Sequence, residues 1–127
     1  MSAPNFIRIT PFMRVPDLDA ALQFFARTLD FTTGFHAGTY AYVFRETVAF
    51  RLIEEGPDCL PPPDSEGLYS YYIDVEDIAS LYAELKPALD LLPPGDVQPP
   101  FDQPYGQREF TVRMPDGKIL AFGQGIG

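Results

Sequence analysis

Two segments of this chain repeat one pattern, and the repeat limits the fold more than any other feature. "VPDLDAALQFFARTL" (Val15 to Leu29) and "VEDIASLYAELKPAL" (Val75 to Leu89) each open with Val, one residue and Asp. Counted from that Asp, apolar side chains fall at the same offsets. They are Leu18, Ala21, Leu22, Phe25 and Leu29 in the first segment, and Ile78, Leu81, Tyr82, Leu85 and Leu89 in the second. This is helical spacing with one buried face. Asp17 and Asp77 stand where an N-cap belongs, because a carboxylate accepts the orphan N–H groups of a first turn. Pro16 suits a helix entry, and Pro87 a late break or exit.

Alternating runs precede both helices: "FIRITPFMRV" and "LYSYYIDV". After the first helix the pattern predicts strands at Phe31–His36, Thr39–Arg45 and Val48–Glu54, with a turn at Glu46-Thr47. After the second it predicts a weak run near Leu91–Val97, then Arg108–Met114 and Lys118–Phe122 around the turn Pro115-Asp116-Gly117. Both halves read βαβββ. The expected fold is therefore α+β, a single domain over residues 1–127 made of two βαβββ modules, about 5–55 and 68–125. The Pro- and acid-rich "EEGPDCLPPPDSEG" reads as the linker between them, and "LPPGDVQPPFDQPYG" as a second Pro-rich loop.

A helix covers one face of each sheet and leaves the other open. Paired modules make a curved mixed sheet with a concave cleft, which must hold side chains, a ligand or a partner chain. Alternation places Thr10, Phe12, Arg14, Ser70, Tyr72 and Asp74 toward that cleft. Ile7, Ile9, Met13, Val15, Tyr69, Tyr71, Ile73 and Val75 then face the helices.

The balance of charges narrows the partners. A net charge of −9 repels phosphate, so nucleic acid is a poor partner and a cationic one is favoured. Cys59 is alone, which rules out a disulfide framework and a cysteine-based zinc site. No signal peptide is visible, and no apolar run reaches the roughly 18 residues of a membrane span. The expectation is a cytoplasmic protein with no membrane partner. With 46% hydrophobic residues, 11 Phe and 7 Tyr, there are aromatic rings enough for a core and for a cleft.

"TPFMRVPDLDAALQFFARTLDF", "YIDVEDIASLYAEL" and "QPYGQREFTVRMPDGKILAF" together resemble the vicinal oxygen chelate superfamily, which includes glyoxalase I, extradiol dioxygenases and the bleomycin resistance proteins. The resemblance covers nearly the whole chain and is nearest to the resistance proteins. They carry a similar aromatic-Gly-Arg-Glu-Phe run before the final turn. Metal-dependent members use four inward ligands, and those positions carry over to Thr10, Arg51, Ser70 and Ala121. None is a metal ligand, and the lone His36 does not replace them, so the resemblance implies no metal, no cofactor and no metal-dependent catalysis.

What it implies instead is a metal-free protein that sequesters an aromatic, cationic, antibiotic-like small molecule in the cleft of a homodimer. Tyr40 and Tyr105 would stack on a planar ligand, with Phe12, Tyr42, Phe44, Arg51 and Tyr72 lining the cleft. Glu54, Glu55, Asp58, Asp64 and Glu66 would supply negative charge. Two other readings stay open: a glyoxalase- or dioxygenase-like lyase or isomerase, and a dimeric scaffold that binds nothing.

Overall fold

The computed structural model describes residues 3–56, Cys59 and residues 68–127. Most of the expected linker, with Asp58, Asp64 and Glu66, lies outside the described residues. Within them the order is β1 (Phe12–Val15), α1 (Leu18–Arg27), β2 (Thr32–Ala37), β3 (Tyr40–Arg45) and β4 (Val48–Glu54), then β5 (Tyr71–Asp74), α2 (Ile78–Leu89), β6 (Val97–Asp102), β7 (Gln107–Arg113) and β8 (Ile119–Gly125). The α+β expectation holds, with βαβββ occurring twice.

Each module forms its own four-stranded mixed sheet, ordered β1-β4-β3-β2 and β5-β8-β7-β6. The first strand of each runs parallel to the last, and the other pairings are antiparallel. The registers are equivalent. Phe12 lies opposite Arg51 and Arg14 opposite Ile53, just as Tyr72 lies opposite Ala121 and Asp74 opposite Gly123.

Both helices begin as the spacing requires. Asp17 Oδ1 accepts from the Ala20 N–H at 3.1 Å, and Asp77 Oδ1 from the Ser80 N–H at 3.0 Å. A second cap arrives from the end of each sheet. Glu54 Oε2 accepts from the Leu18 N–H at 2.8 Å, and the Gln124 side-chain oxygen accepts from the Ile78 N–H at 2.9 Å. The last strand of each module thus reaches back to the start of its helix and satisfies another orphan donor. Pro87 sits inside the last turn of α2, which runs on to Leu89.

The helix-covered faces merge into one buried cluster. Phe25 packs on Phe31 and Phe50, with ring centroids 5.2 and 5.5 Å apart, and Phe50 meets Tyr71 edge-on at 5.3 Å. In the second module Phe110 stacks on Phe122 at 4.8 Å and meets Tyr82 of α2 at 5.1 Å. Arg45 ties the modules together at the surface. It donates to both Glu84 oxygens of α2 at 2.8 and 2.7 Å and to the Leu29 carbonyl at 3.0 Å.

Three expectations are corrected. The alternation from Phe6 does not make a long first strand: ladder pairing starts at Phe12, and Ile7 and Ile9 are 83% and 89% exposed. Carried back, the register sets Ile9 opposite Val48, where β4 begins, so earlier residues meet only the β3–β4 turn. Tyr69 likewise precedes β5, and its hydroxyl reaches Glu109 on the open face instead of the helix side. The supposed second loop contains a strand: β6, "VQPPFD", tolerates Pro99 and Pro100 because it is an edge strand whose register slips between Gln98 and Phe101.

Candidate functional site

The open faces of the two sheets carry different chemistry. On the first, β3 presents Tyr40, Tyr42 and Phe44 at alternate positions, all half-buried. Arg51, on neighbouring β4, donates from Nη1 to the Tyr40 hydroxyl at 2.6 Å, and its guanidinium lies over the Tyr42 ring at 5.3 Å. The Tyr42 and Phe44 rings are 6.0 Å apart, and Phe35 stands 6.0 Å from Tyr40. Phe44 lies across Gly34, where a Cβ would come within 3.0 Å of the ring. Phe12, across from Arg51 in the register, is 58% exposed.

The second open face is roofed. Glu109 on β7 is wholly buried. Its Oε1 accepts from the Tyr69 hydroxyl at 2.9 Å and the Gln103 amide at 3.1 Å, and its Oε2 accepts from the Tyr105 hydroxyl at 2.8 Å. Tyr72 completes the roof. Its hydroxyl donates to the Gln107 side-chain oxygen at 3.1 Å, and its ring is 6.4 Å from that of Tyr69. Tyr72 can lie flat because β8 has Gly123 beneath it: a Cβ there would stand 1.8 Å from the hydroxyl oxygen.

Electrostatics follow the geometry. Burial pushes the Glu109 carboxyl up, but the donors around it, from Tyr105, Gln103 and Tyr69, outweigh burial and hold it below the usual carboxylate range. Burial and the same carboxylate raise Tyr69 and Tyr72, and push Tyr105 up to about 12.

The Pro-Tyr-Gly run has a local cause. It is the turn between β6 and β7. Gly106 N–H bonds back to the Gln103 carbonyl at 3.1 Å, and the Gln103 N–H bonds to the Gln107 carbonyl at 2.7 Å. Pro104 presets the turn's entry, and Gly106 takes the left-handed backbone that closes it, at φ +86°. Tyr105 is the residue between them, 61% exposed, with only its hydroxyl drawn inward to Glu109.

The structure therefore brings Tyr40, Tyr42, Phe44 and Arg51 together, with Phe12 opposite Arg51, and gathers Tyr72 and Tyr105 on the other sheet. Among the described residues no strand of one sheet pairs with a strand of the other. Within one chain Tyr40 meets Phe35 and Arg51, and Tyr105 meets Glu109. Two proposed cleft acids are otherwise engaged: Glu54 caps α1, and Glu55 pairs with Arg14 at 3.1 Å. Glu109 was not anticipated. On β7 it alternates with Phe110 and Val112 and so reads as solvent-facing. The available signal was a set of tyrosines whose hydroxyls needed acceptors, two of which, Tyr69 and Tyr105, find Glu109.

Of the positions matched to metal ligands, Arg51 on β4 pairs with Phe12 and Ala121 on β8 with Tyr72, and Thr10 and Ser70 each lie two residues before those partners. Ser70 instead closes the sheet edge, exchanging bonds with Ile119. Thr10, Arg51, Ser70 and Ala121 together do not fit a divalent ion. Among the described residues no three His, Cys, Asp or Glu side chains come together to hold one. No helix among the described residues is long and apolar enough to cross a membrane.

Comparison with known proteins agrees with this architecture. The bleomycin resistance protein of Geobacillus stearothermophilus is 28% identical over 128 aligned residues, covering 91% of this chain and 95% of that protein. The bleomycin-binding protein of bleomycin-producing Streptomyces verticillus, in complex with copper(II)-bleomycin, superposes with a TM-score of 0.73 at 24% identity, covering 97% of this chain and 99% of that one. A glyoxalase-related enzyme from Clostridium phytofermentans gives a TM-score of 0.71 at 20% identity, covering 98% of this chain and 100% of the other. The sequence pattern of one family matches residues 7–122, nearly the whole of both modules, and the chain belongs to it: the Glyoxalase/Bleomycin resistance protein/Dioxygenase superfamily.

Proposed function

We propose that this chain is a binding protein of the bleomycin-resistance kind. It holds an aromatic, cationic small molecule against its open sheet faces and releases it unchanged, without a metal, in the cytoplasm. The observation that carries this reading is the make-up of those faces. Aromatic rings and one arginine line the first, exposed tyrosines roof the second, and the positions matched to the ligands of metal-dependent relatives are Thr10, Arg51, Ser70 and Ala121. Stacking and area burial are what such faces offer a ligand.

The site is completed by a second copy. Each open face is half of a cleft, and the arm before β1 exposes Phe6, Ile7 and Ile9 at 98%, 83% and 89%, a cost that a partner chain would remove. In such a dimer Tyr40 of one chain and Tyr105 of the other come to serve as two plates.

Calorimetric titration with metal-free bleomycin tests the ligand, and light scattering at micromolar concentration tests the assembly. Saturable binding at one site per chain, to a dimer, is expected. A monomer that gives no heat would overturn the reading. Turnover of a glyoxalase or dioxygenase substrate, dependent on a bound metal, would move the chain to the enzyme branch.

A further inference from the structure

The binding reading leaves one group without a task. Glu109 is a buried carboxylate whose hydrogen-bond donors, Tyr69, Tyr105 and Gln103, are all neutral. Among the described residues no cation pairs with it. Arg108 is engaged by Asp102 at 2.7 Å, and Arg113 by Asp96 at 3.7 Å. A buried ion without a counter-ion is costly to desolvate.

We propose that Glu109 and the rings of Tyr69, Tyr72 and Tyr105 form a receptor for an organic cation, an alkylated ammonium or a comparably weakly hydrated head group. The rings are the accessible part: Tyr69 and Tyr72 are each 39% exposed and Tyr105 is 61% exposed, while Glu109 is 0% exposed. A strongly hydrated metal ion cannot reach the carboxylate oxygens. A bulky organic cation does not need to, because it is attracted to aromatic faces. Phenols that donate to a carboxylate, here Tyr69 and Tyr105, gain electron density, so their rings present the buried charge at the surface, and Tyr72 adds a third aromatic wall. Asp74 lies on the same face as Tyr72 and adds to the field. Gly123 has a part in this, since only a residue without a side chain lets Tyr72 lie down as one wall. The proposal rests on the reading that the open faces bind ligand, and it names the chemical group that the second face takes.

The test compares choline with its neutral carbon isostere, 3,3-dimethylbutan-1-ol, by NMR titration of the whole chain. Choline is expected to shift the Tyr69, Tyr72 and Tyr105 resonances saturably and to bind at least tenfold more tightly than the alcohol. Glu109→Gln should weaken choline tenfold and leave the alcohol unaffected. Equal binding of the two probes, or choline shifts scattered over the acidic surface and indifferent to Glu109→Gln, would overturn the proposal. Should that variant not fold, Tyr105→Leu takes its place, and choline binding that survives loss of the ring is equally fatal. Choline binding without bleomycin binding keeps the receptor and removes the drug. Bleomycin binding that ignores both choline and Glu109→Gln removes the receptor alone.

Discussion

The two modules share a topology, a register and a pair of helix caps, yet their open faces differ, and the difference comes down to a few equivalent positions. Where the first module has Phe12 opposite Arg51 and Arg14 opposite Ile53, the second has Tyr72 opposite Ala121 and Asp74 opposite Gly123. The long Arg51 side chain fills the centre of the first face and props Tyr40 and Tyr42 around it. In the second, Ala121 and Gly123 leave the sheet bare, so tyrosines fold down over it and enclose Glu109. Duplicated backbone thus carries two chemistries: a cation among rings on one side, and an anion beneath rings on the other.

Of the changes that test this division, the largest effect belongs to Glu109. Glu109→Leu leaves three donors without their acceptor and should cost about 2–4 kcal/mol. Arg51→Leu, on a half-open face, should cost under about 1 kcal/mol. Urea unfolding of the two variants compares them directly, and equal losses would erase the contrast.

Gly123→Ala comes next. Its methyl group would occupy the space of the Tyr72 hydroxyl, so the ring must swing off the sheet, at a cost of roughly 1–2 kcal/mol. Combining it with Tyr72→Ala should recover part of the loss, and strictly additive energies would show that the two do not compete for that space.

The shared caps sharpen the comparison from the opposite side. Glu54→Ala removes a charged acceptor and should cost ~1–2 kcal/mol, and Gln124→Ala a neutral one, ~0.5–1 kcal/mol. The reverse order would mean that the first helix is held mainly by Asp17.

The smallest effect is a pH signature of the roof. Folding raises Tyr69, Tyr72 and Tyr105, so their contribution is complete below the ordinary phenol value of about 10 and fades as pH rises through the folded values. Glu109 is lowered, so its contribution is present above about 4.3 and is lost as pH falls through its folded value. In a phenolate absorbance titration Glu109→Gln should bring the late tyrosines back toward ordinary values. An unchanged curve would mean that the carboxylate does not set them.

Much of the frame was legible in the residues. Periodicity and capping Asp residues located both helices, and alternation found β3, β4, β7 and β8, because these signals are local. What failed depended on distant partners. Ile7 and Ile9 alternate like strand residues, but the parallel register carries them to and past the start of β4 at Val48. The Pro pair in β6 resembles a loop until the register slip at the sheet edge is seen. The candidate aromatics lie on the open faces, but their division between two sheets, and the carboxylate beneath one set, arise from β5 lying next to β8, 49 residues on in the Tyr71–Leu120 pairing.

The return of each last strand to its own helix has a further consequence. Glu54 and Gln124 act as latches: a module that has placed its fourth strand has also locked its first turn of helix. Each half therefore closes on itself, and the segment between the two lies outside both latches. A break in that segment would cut the chain without opening either ring. Each half contains both members of its own latch, and the Arg45–Glu84 clamp and the common aromatic core are the contacts through which two separately made halves would have to find each other.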